Sequence, residues 1–395
     1  MKPPKQRIRV ILLAIAIILL LPILMIWSYF RALHEQRRLT SPQYEKQDIV
    51  ERRDYLLGKL IASPEDVLGE MPASVGPQFQ GEWALYSCSM LSAALANISK
   101  IYPETKADNL QNIAKLIDIV LSPELRRYDT MRWDEDALTS LDGRCSHISY
   151  LSHLAWMICE YKGIGGGTQY DSLLSSICEA MNRRITRSKA FNLPTYPGEP
   201  IYIPDMLVAI VALQKYGDMN YGKYHHTVQR WLELAQSKWI DHDTGVLASY
   251  LDWDGEQFTD MPIRGSFSAL SCYYLTMVDQ RFAREQYDRL KALFWKEGAI
   301  SGLKEYHDRT CYFGMDIDSG PILLELSPSG TAFFAGTATL FGDKEVCNGI
   351  LRTAEFAGCT IGKGGNRHYL LANIALVGES IVLAMRTNRG QIQHN

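Results

Sequence analysis

"YFGMDIDSGPILLELSPSG", residues 312–330, sets two carboxylates, Asp316 and Asp318, two positions apart and directly before a Ser-Gly-Pro break. Read locally, it predicts a helix beginning near residue 320. Ser319 or Gly320 would cap it, Pro321 would sit in the first turn, and the acids would lie near the positive end of the helix dipole. Similar boundaries recur along the chain. They are "GEWALYSCSM" near 82, "SHISYLSHL" near 147, "YIPDMLVAIVAL" near 204, "IRGSFSALSCYYL" near 264, "DSGPILLEL" near 320 and "NRHYLLANIAL" near 366.

Each interval between these starts has room for one helix hairpin and its connection. Between them, terse signals such as "KGIGGGT", "YGDMNY" and "FGDKEV" end one amphipathic helix and begin the next. Strand alternation is scarce, and "GVLASYLDWDGEQFTD" (245–260) is the one stretch that reads as a small hairpin or an irregular loop. Six helix hairpins predict an all-α (α/α)6 toroid over 75–388, with an open helical solenoid as the alternative. In a toroid the six inner helices run the same way, so their N-termini meet on one face.

The flanks carry their own signals. Val10–Phe30 is an uncharged apolar run, long enough for one membrane-spanning helix. It sets the expected organisation: a cytoplasmic basic tail (1–9), a transmembrane helix (10–30), a juxtamembrane helical linker (31–74), the toroid, and a polar tail (389–395). Lys2, Lys5, Arg7 and Arg9 precede the run and Arg31, Arg37 and Arg38 follow it. This weak bias places the toroid outside an inner membrane, with envelope proteins as possible partners. The chain holds 41 basic and 44 acidic residues without a basic cluster, which excludes a nucleic-acid-binding surface. Eight cysteines lack any zinc-like spacing and read mainly as buried small hydrophobes; no metal set and no cofactor is expected. "KGIGGGT" lacks the GK[ST] ending of a phosphate loop.

The polar residues at the helix starts are the candidates for chemistry. Asp205, Asp316 and Asp318 are the candidate catalytic acids, because crowded carboxyls split into an acid and a base. His147 joins them as a titratable group at the second inner helix. Glu82, Trp83, Tyr86, Tyr150, Tyr202, Asp252, Arg264, Arg367 and His368 are the candidate substrate contacts. Arg264 needs an acidic partner if buried, and Asp316 is the candidate. Trp133-Asp134-Glu135-Asp136 and Asp252-Trp253-Asp254 are aromatic-plus-acid loops of the kind that suits sugars.

The series "GEWALYSCSM", "SHISYLSHLAWMICEYKGIGG", "YIPDMLVAIVALQKYGD" and "MDIDSGPILLELSPSGTAFFAGTATLFGD" resembles the linalool dehydratase/isomerase-like domain family over roughly residues 75–385. The resemblance implies an (α/α)6 fold and lyase or isomerase chemistry on a small molecule, carried out in the named enzyme by a cysteine pair with acid/base residues. The matching helix start here, "GEPIYIPDMLVAI", has no cysteine. The expected function is therefore a membrane-anchored acid/base enzyme working in a toroid cavity. Its alternatives are a glycoside hydrolase or polysaccharide lyase acting on an envelope glycan, and a non-catalytic glycan- or lipid-binding accessory protein.

Overall fold

The computed structural model describes residues 4–258 and 261–390. The chain begins with α1 (Pro4–Arg38), α2 (Pro42–Leu60) and the short α3 (Pro64–Gly69). Next come α4 (Gly76–Ile101), α5 (Lys106–Val120), α6 (Pro123–Trp133), α7 (Ile148–Gly163) and α8 (Asp171–Arg187). After β1 (Ile201–Tyr202) follow α9 (Ile203–Met219), α10 (His225–Ser237), β2 (Tyr250–Leu251), α11 (Gly265–Leu275) and α12 (Gln280–Phe294). The last third contains β3 (Trp295–Lys296), β4 (Gly302–Leu303), β5 (Phe313–Asp316), β6 (Gly320–Leu323), α13 (Pro328–Phe341) and α14 (Lys344–Gly358). It ends with β7 (Thr360–Lys363), β8 (Asn366–Tyr369) and α15 (Leu376–Thr387).

Six helices form the inner ring: α4, α7, α9, α11, α13 and α15. Each packs against the next, and α15 closes on α4. Their composition explains the position. α9, for instance, buries Met206 through Leu213 without interruption, so it is apolar on every side and has to be surrounded. The helices α5, α8, α10, α12 and α14 are one-sided and lie outside the ring. The sixth outer element is α2, which buries Ile49, Leu56 and Leu60 completely, although the sequence placed it in a linker.

The C-terminal ends of the ring meet at a cavity of about 160 Å3 lined by Lys100, Glu160, Lys215, Thr276, Leu340 and Asn388 among others. The N-terminal ends therefore share the opposite face. Along the axis between the two faces, Tyr86, His153, Trp156 and Tyr274 pack in tilted and edge-to-face pairs with centroids 4.2–6.1 Å apart. The toroid is thus plugged at mid-depth by aromatic rings.

Two expected inner-helix starts are displaced. Residues 312–323 do not begin a helix. They form an antiparallel hairpin in which Asp316 faces Gly320 across a turn, with Gly320 at φ +71°. α13 starts only at Pro328, capped by Ser327, whose hydroxyl accepts from the Gly330 amide. Likewise, residues 360–369 form the hairpin β7–β8, and α15 starts ten residues later than expected. Of "GVLASYLDWDGEQFTD", Tyr250–Leu251 pair with β1, and its last two residues lie outside the described ones.

The N-terminal region corrects the expected location. Among the described residues no helix is long and apolar enough to cross a membrane, which overturns the single-pass inner-membrane placement. The side chains of residues 4–19 and the tail 391–395 lie outside the description. The rest of α1 exposes Leu24, Trp27 and Phe30 and then docks on α14, where Arg31 donates to the Glu355 carbonyl and Gln36 to Asn348. All eight cysteines are free. Cys88, Cys159, Cys178 and Cys272 are buried, and the other four are partly exposed.

Candidate active site

Three elements bring carboxyl groups to the N-terminal mouth of the ring. Glu82 comes from the second turn of α4, Asp205 from the first turn of α9, and Asp316 with Asp318 from the turn of the β5–β6 hairpin. The pair from the opening stretch therefore reaches the mouth on a hairpin, and the two acids behave differently.

Burial tends to raise Asp316, but the Arg264 guanidinium 2.8 Å away and the amides of Asp318 and Ser319 outweigh it and hold the carboxyl below its usual range. Asp318 has no such partner. It is exposed on the hairpin turn, with protein crowding it on one side. Desolvation, followed by the charges of Asp316 and Asp205, pushes it up to about 7, with Arg264 opposing. Glu82 goes further, up to about 8. The causes are burial first, then Asp205, with a lesser push from Asp318; a hydrogen bond with Tyr196 and the charge of Arg132 act against it. Its Oε2 is buried and has no hydrogen-bond partner in the protein. Asp205 is also raised, chiefly by burial, while two hydroxyls hold its carboxylate: Tyr86 donates to Oδ1 at 3.0 Å and Thr195 to Oδ2 at 2.7 Å.

Arg264, the residue before α11, is the hub of the mouth. Its Nε donates to Glu305 Oε1 at 2.6 Å, Nη1 to the Tyr250 hydroxyl at 3.1 Å, and Nη2 to Asp316. Glu305 is fully buried and also accepts from the amide and hydroxyl of Ser266. The close packing needs glycine at 265, where an added Cβ would stand 2.0 Å from the Lys304 carbonyl oxygen. Tyr202, Tyr250 and Phe267 pack edge to face with centroids 5.2–5.8 Å apart and form an aromatic side of the mouth.

Of the residues read from the sequence, Glu82, Tyr86, Tyr202, Asp205, Arg264, Asp316 and Asp318 come together, and Trp83 packs beside them against the core. The others do not join them. His147 is fully buried one layer behind, with Nδ1 2.6 Å from Asp129 and Nε2 3.1 Å from Glu135. Tyr150 spends its hydroxyl on the Val120 carbonyl, inside the core. Asp252 accepts from the amides of Asp254 and Glu256 and so shapes its own turn. Arg367 and His368 lie on β8 and face α2. Arg367 is engaged by Asp48 and Glu35, and His368 stacks on Tyr55 with centroids 3.8 Å apart.

The sequence reading missed Glu305, Tyr250, Thr195, Tyr196 and Arg132. All sit outside the inner helices and carry no periodic signal; only the requirement that a buried Arg264 be matched by acids pointed toward Glu305.

No family model and no curated protein matches the chain. Among solved structures, it is similar to a glycoside hydrolase from family 105 of C. acetobutylicum ATCC 824. The TM-score is 0.52 and the identity 12%, over 76% of this chain and 92% of that one. It is also similar to an unsaturated glucuronyl hydrolase specific for heparin, with TM-score 0.55 and 11% identity over 87% and 96%. The resemblance to the linalool dehydratase/isomerase-like family finds no support in these comparisons. What the two structures share with this chain is architecture, and that architecture is the (α/α)6 toroid.

Proposed function

We propose that this protein is a glycan-cleaving enzyme that works by proton transfer between carboxyl groups at the mouth of the toroid. One observation carries the reading: the Glu82 and Asp318 carboxyls are pushed up to about 8 and about 7 at the mouth where Asp205 is held by two hydroxyl donors. A protonated carboxyl beside an oriented carboxylate is the pairing that glycoside hydrolysis requires. Fold similarity to two glycoside-cleaving enzymes supports the same class.

In this reading Asp318, on the accessible hairpin turn, gives its proton to the glycosidic oxygen as the carbon–oxygen bond breaks. Asp205 takes a proton from the water whose oxygen bonds to the anomeric carbon. Glu82, protonated and buried behind Asp205, keeps the floor of the mouth uncharged beneath the reacting groups. Tyr202 and Tyr250 offer the apolar face on which a pyranose ring rests. The guanidiniums nearby are already engaged, Arg264 by Glu305 and Asp316 and Arg132 by Glu199. With carboxyls in excess, the mouth suits neutral or amine-bearing saccharides better than polyanionic ones.

The test is a reducing-end assay over a panel of neutral, amino and uronate oligosaccharides. Asp318→Asn and Asp205→Asn should each lose about 10²-fold or more in turnover with thermal stability retained. Full turnover by Asp318→Asn would sink the assignment.

A further inference from the structure

The connection between α6 and α7 folds three metal-ligating side chains against one another. Glu135, Cys145 and His147 each present a ligand atom within 4.8 Å of the other two. His147 Nε2 stands 3.1 Å from Glu135 Oε1, and the Cys145 thiol hydrogen-bonds the same carboxyl. In a tetrahedral zinc site with bonds of about 2.0–2.3 Å, ligand atoms stand roughly 3.3–3.8 Å apart. Closing the trio on an ion therefore takes only small side-chain movements. No motif spacing announces this set, because residues 135, 145 and 147 are gathered by a loop of irregular shape.

A second observation lies on the other side of the imidazole. Asp129 Oδ2 is 2.6 Å from His147 Nδ1, and both residues are fully buried. A carboxylate on one ring nitrogen fixes the proton there and turns the lone pair of the other nitrogen outward, the arrangement that commonly backs a metal-bound histidine. Here Nε2 faces Glu135 Oε1 at 3.1 Å and the Ser140 hydroxyl at 3.4 Å, so this nitrogen opens on the same cluster as the Cys145 thiol.

The loop is also held in shape before any ion arrives. Arg184 donates to the carbonyls of Ser140, Leu141 and Ser146, which frame Cys145. Glu135 and Cys145 are partly open to solvent, which leaves an ion a route in.

We propose that Glu135, Cys145 and His147 bind a divalent cation of the zinc class, with Asp129 as the outer carboxylate that orients His147. The thiol, imidazole and carboxylate set excludes calcium and magnesium, which take oxygen ligands, and favours zinc. Binding replaces the thiol proton, which passes to solvent beside Glu135, so one proton is released per ion. The ion would brace the ends of α6 and α7, from which the hydroxyls of Tyr128, Ser149 and Tyr196, each 3.2–3.3 Å from the next, lead toward Glu82. It takes no part in the proton transfers proposed above, and its presence is independent of them.

The test uses the full chain without a histidine tag, stripped by a chelator and titrated with Zn2+ against a chromophoric competitor, then with Co2+. One equivalent should bind with a Kd of about 10⁻⁷ M or tighter. The cobalt form should show a thiolate charge-transfer band in the near ultraviolet. Cys145→Ser should remove that band, and Asp129→Asn should weaken affinity by about 10- to 100-fold. Glu135→Gln, at a partly exposed position, should weaken binding with folding retained. Absence of stoichiometric binding would overturn the proposal. Binding that is unchanged in Cys145→Ser would overturn it as well.

Discussion

Glu82→Gln should make this protein more stable at alkaline pH and leave it unchanged at acidic pH. The carboxyl has an ordinary value of 4.5 and is pushed up to about 8 in the fold. Between those values the folded protein keeps a proton that the unfolded chain has released. Folding takes up protons there, so stability falls as the pH rises through the window, and the whole penalty remains above it. The interval is worth ~5 kcal/mol at ~1.36 kcal/mol per pH unit. Glu82 keeps some contact with water, and screening cuts that to roughly 2–3 kcal/mol. Glutamine has the same shape without the ionisation, so the variant avoids the penalty. Urea unfolding of both proteins at pH 5 and pH 8.5 checks this: the midpoints should coincide at pH 5, and the variant should lead at pH 8.5. Two curves that stay parallel across the range would refute the idea that Glu82 is held protonated by burial and by Asp205. The gain should come with lost turnover, as expected where a site carries charge strain for function.

Three further outcomes follow from the same contacts. Asp316→Asn removes a negative charge beside Asp318 and should bring its carboxyl down, moving the alkaline limb of the pH–rate profile toward acid by roughly one pH unit. Gly265→Ala places a methyl group against the Lys304 carbonyl and should lower stability by ~1–3 kcal/mol, read as a drop in melting temperature. Arg52→Met leaves Asp48, Glu355 and Glu379 buried around a lost guanidinium and should cost ~3–5 kcal/mol in denaturant unfolding.

The ring was legible because its helices have to be apolar all round while their ends cannot be. The starts of α7, α9 and α11 fall within a residue of the expected 147, 204 and 264. Asp205 was legible for the same reason, as an acid in a helix's first turn. The starts of α13 and α15 were not, because a hairpin of four-residue strands precedes each, and strands that short offer too few alternations to compete with a helix-start signal. The cue for the first was present in Asp-Ser-Gly, a turn tripeptide, followed by the true Ser-Pro boundary at 327–328. His147 and Tyr150 were misplaced because periodicity tells how a helix begins but not which of its first residues look inward. Arg367 and His368 were drawn to the mouth by a helix start that does not exist there. The apolar run near the N-terminus gave a location that the structure does not carry.

The closure of α15 on α4, with α2 laid over the seam, also has a consequence for synthesis. Arg52 bonds Glu379, Arg386 bonds Asp48, and Arg367 bonds Asp48, so the seam joins segments more than three hundred residues apart. The first two cannot form while α15 is still inside the ribosome. Until then the flank of α4 that α15 covers stays open, and Asp48 and Arg52 lack the partners that α15 supplies. Contacts of such separation form slowly, because a long loop has to be closed before they repay it. The growing chain should therefore be at its most chaperone-dependent and most prone to self-association just before the final helix emerges. A stop codon placed ahead of Leu376 should yield a chain that aggregates, where one placed after Thr387 yields a folded ring.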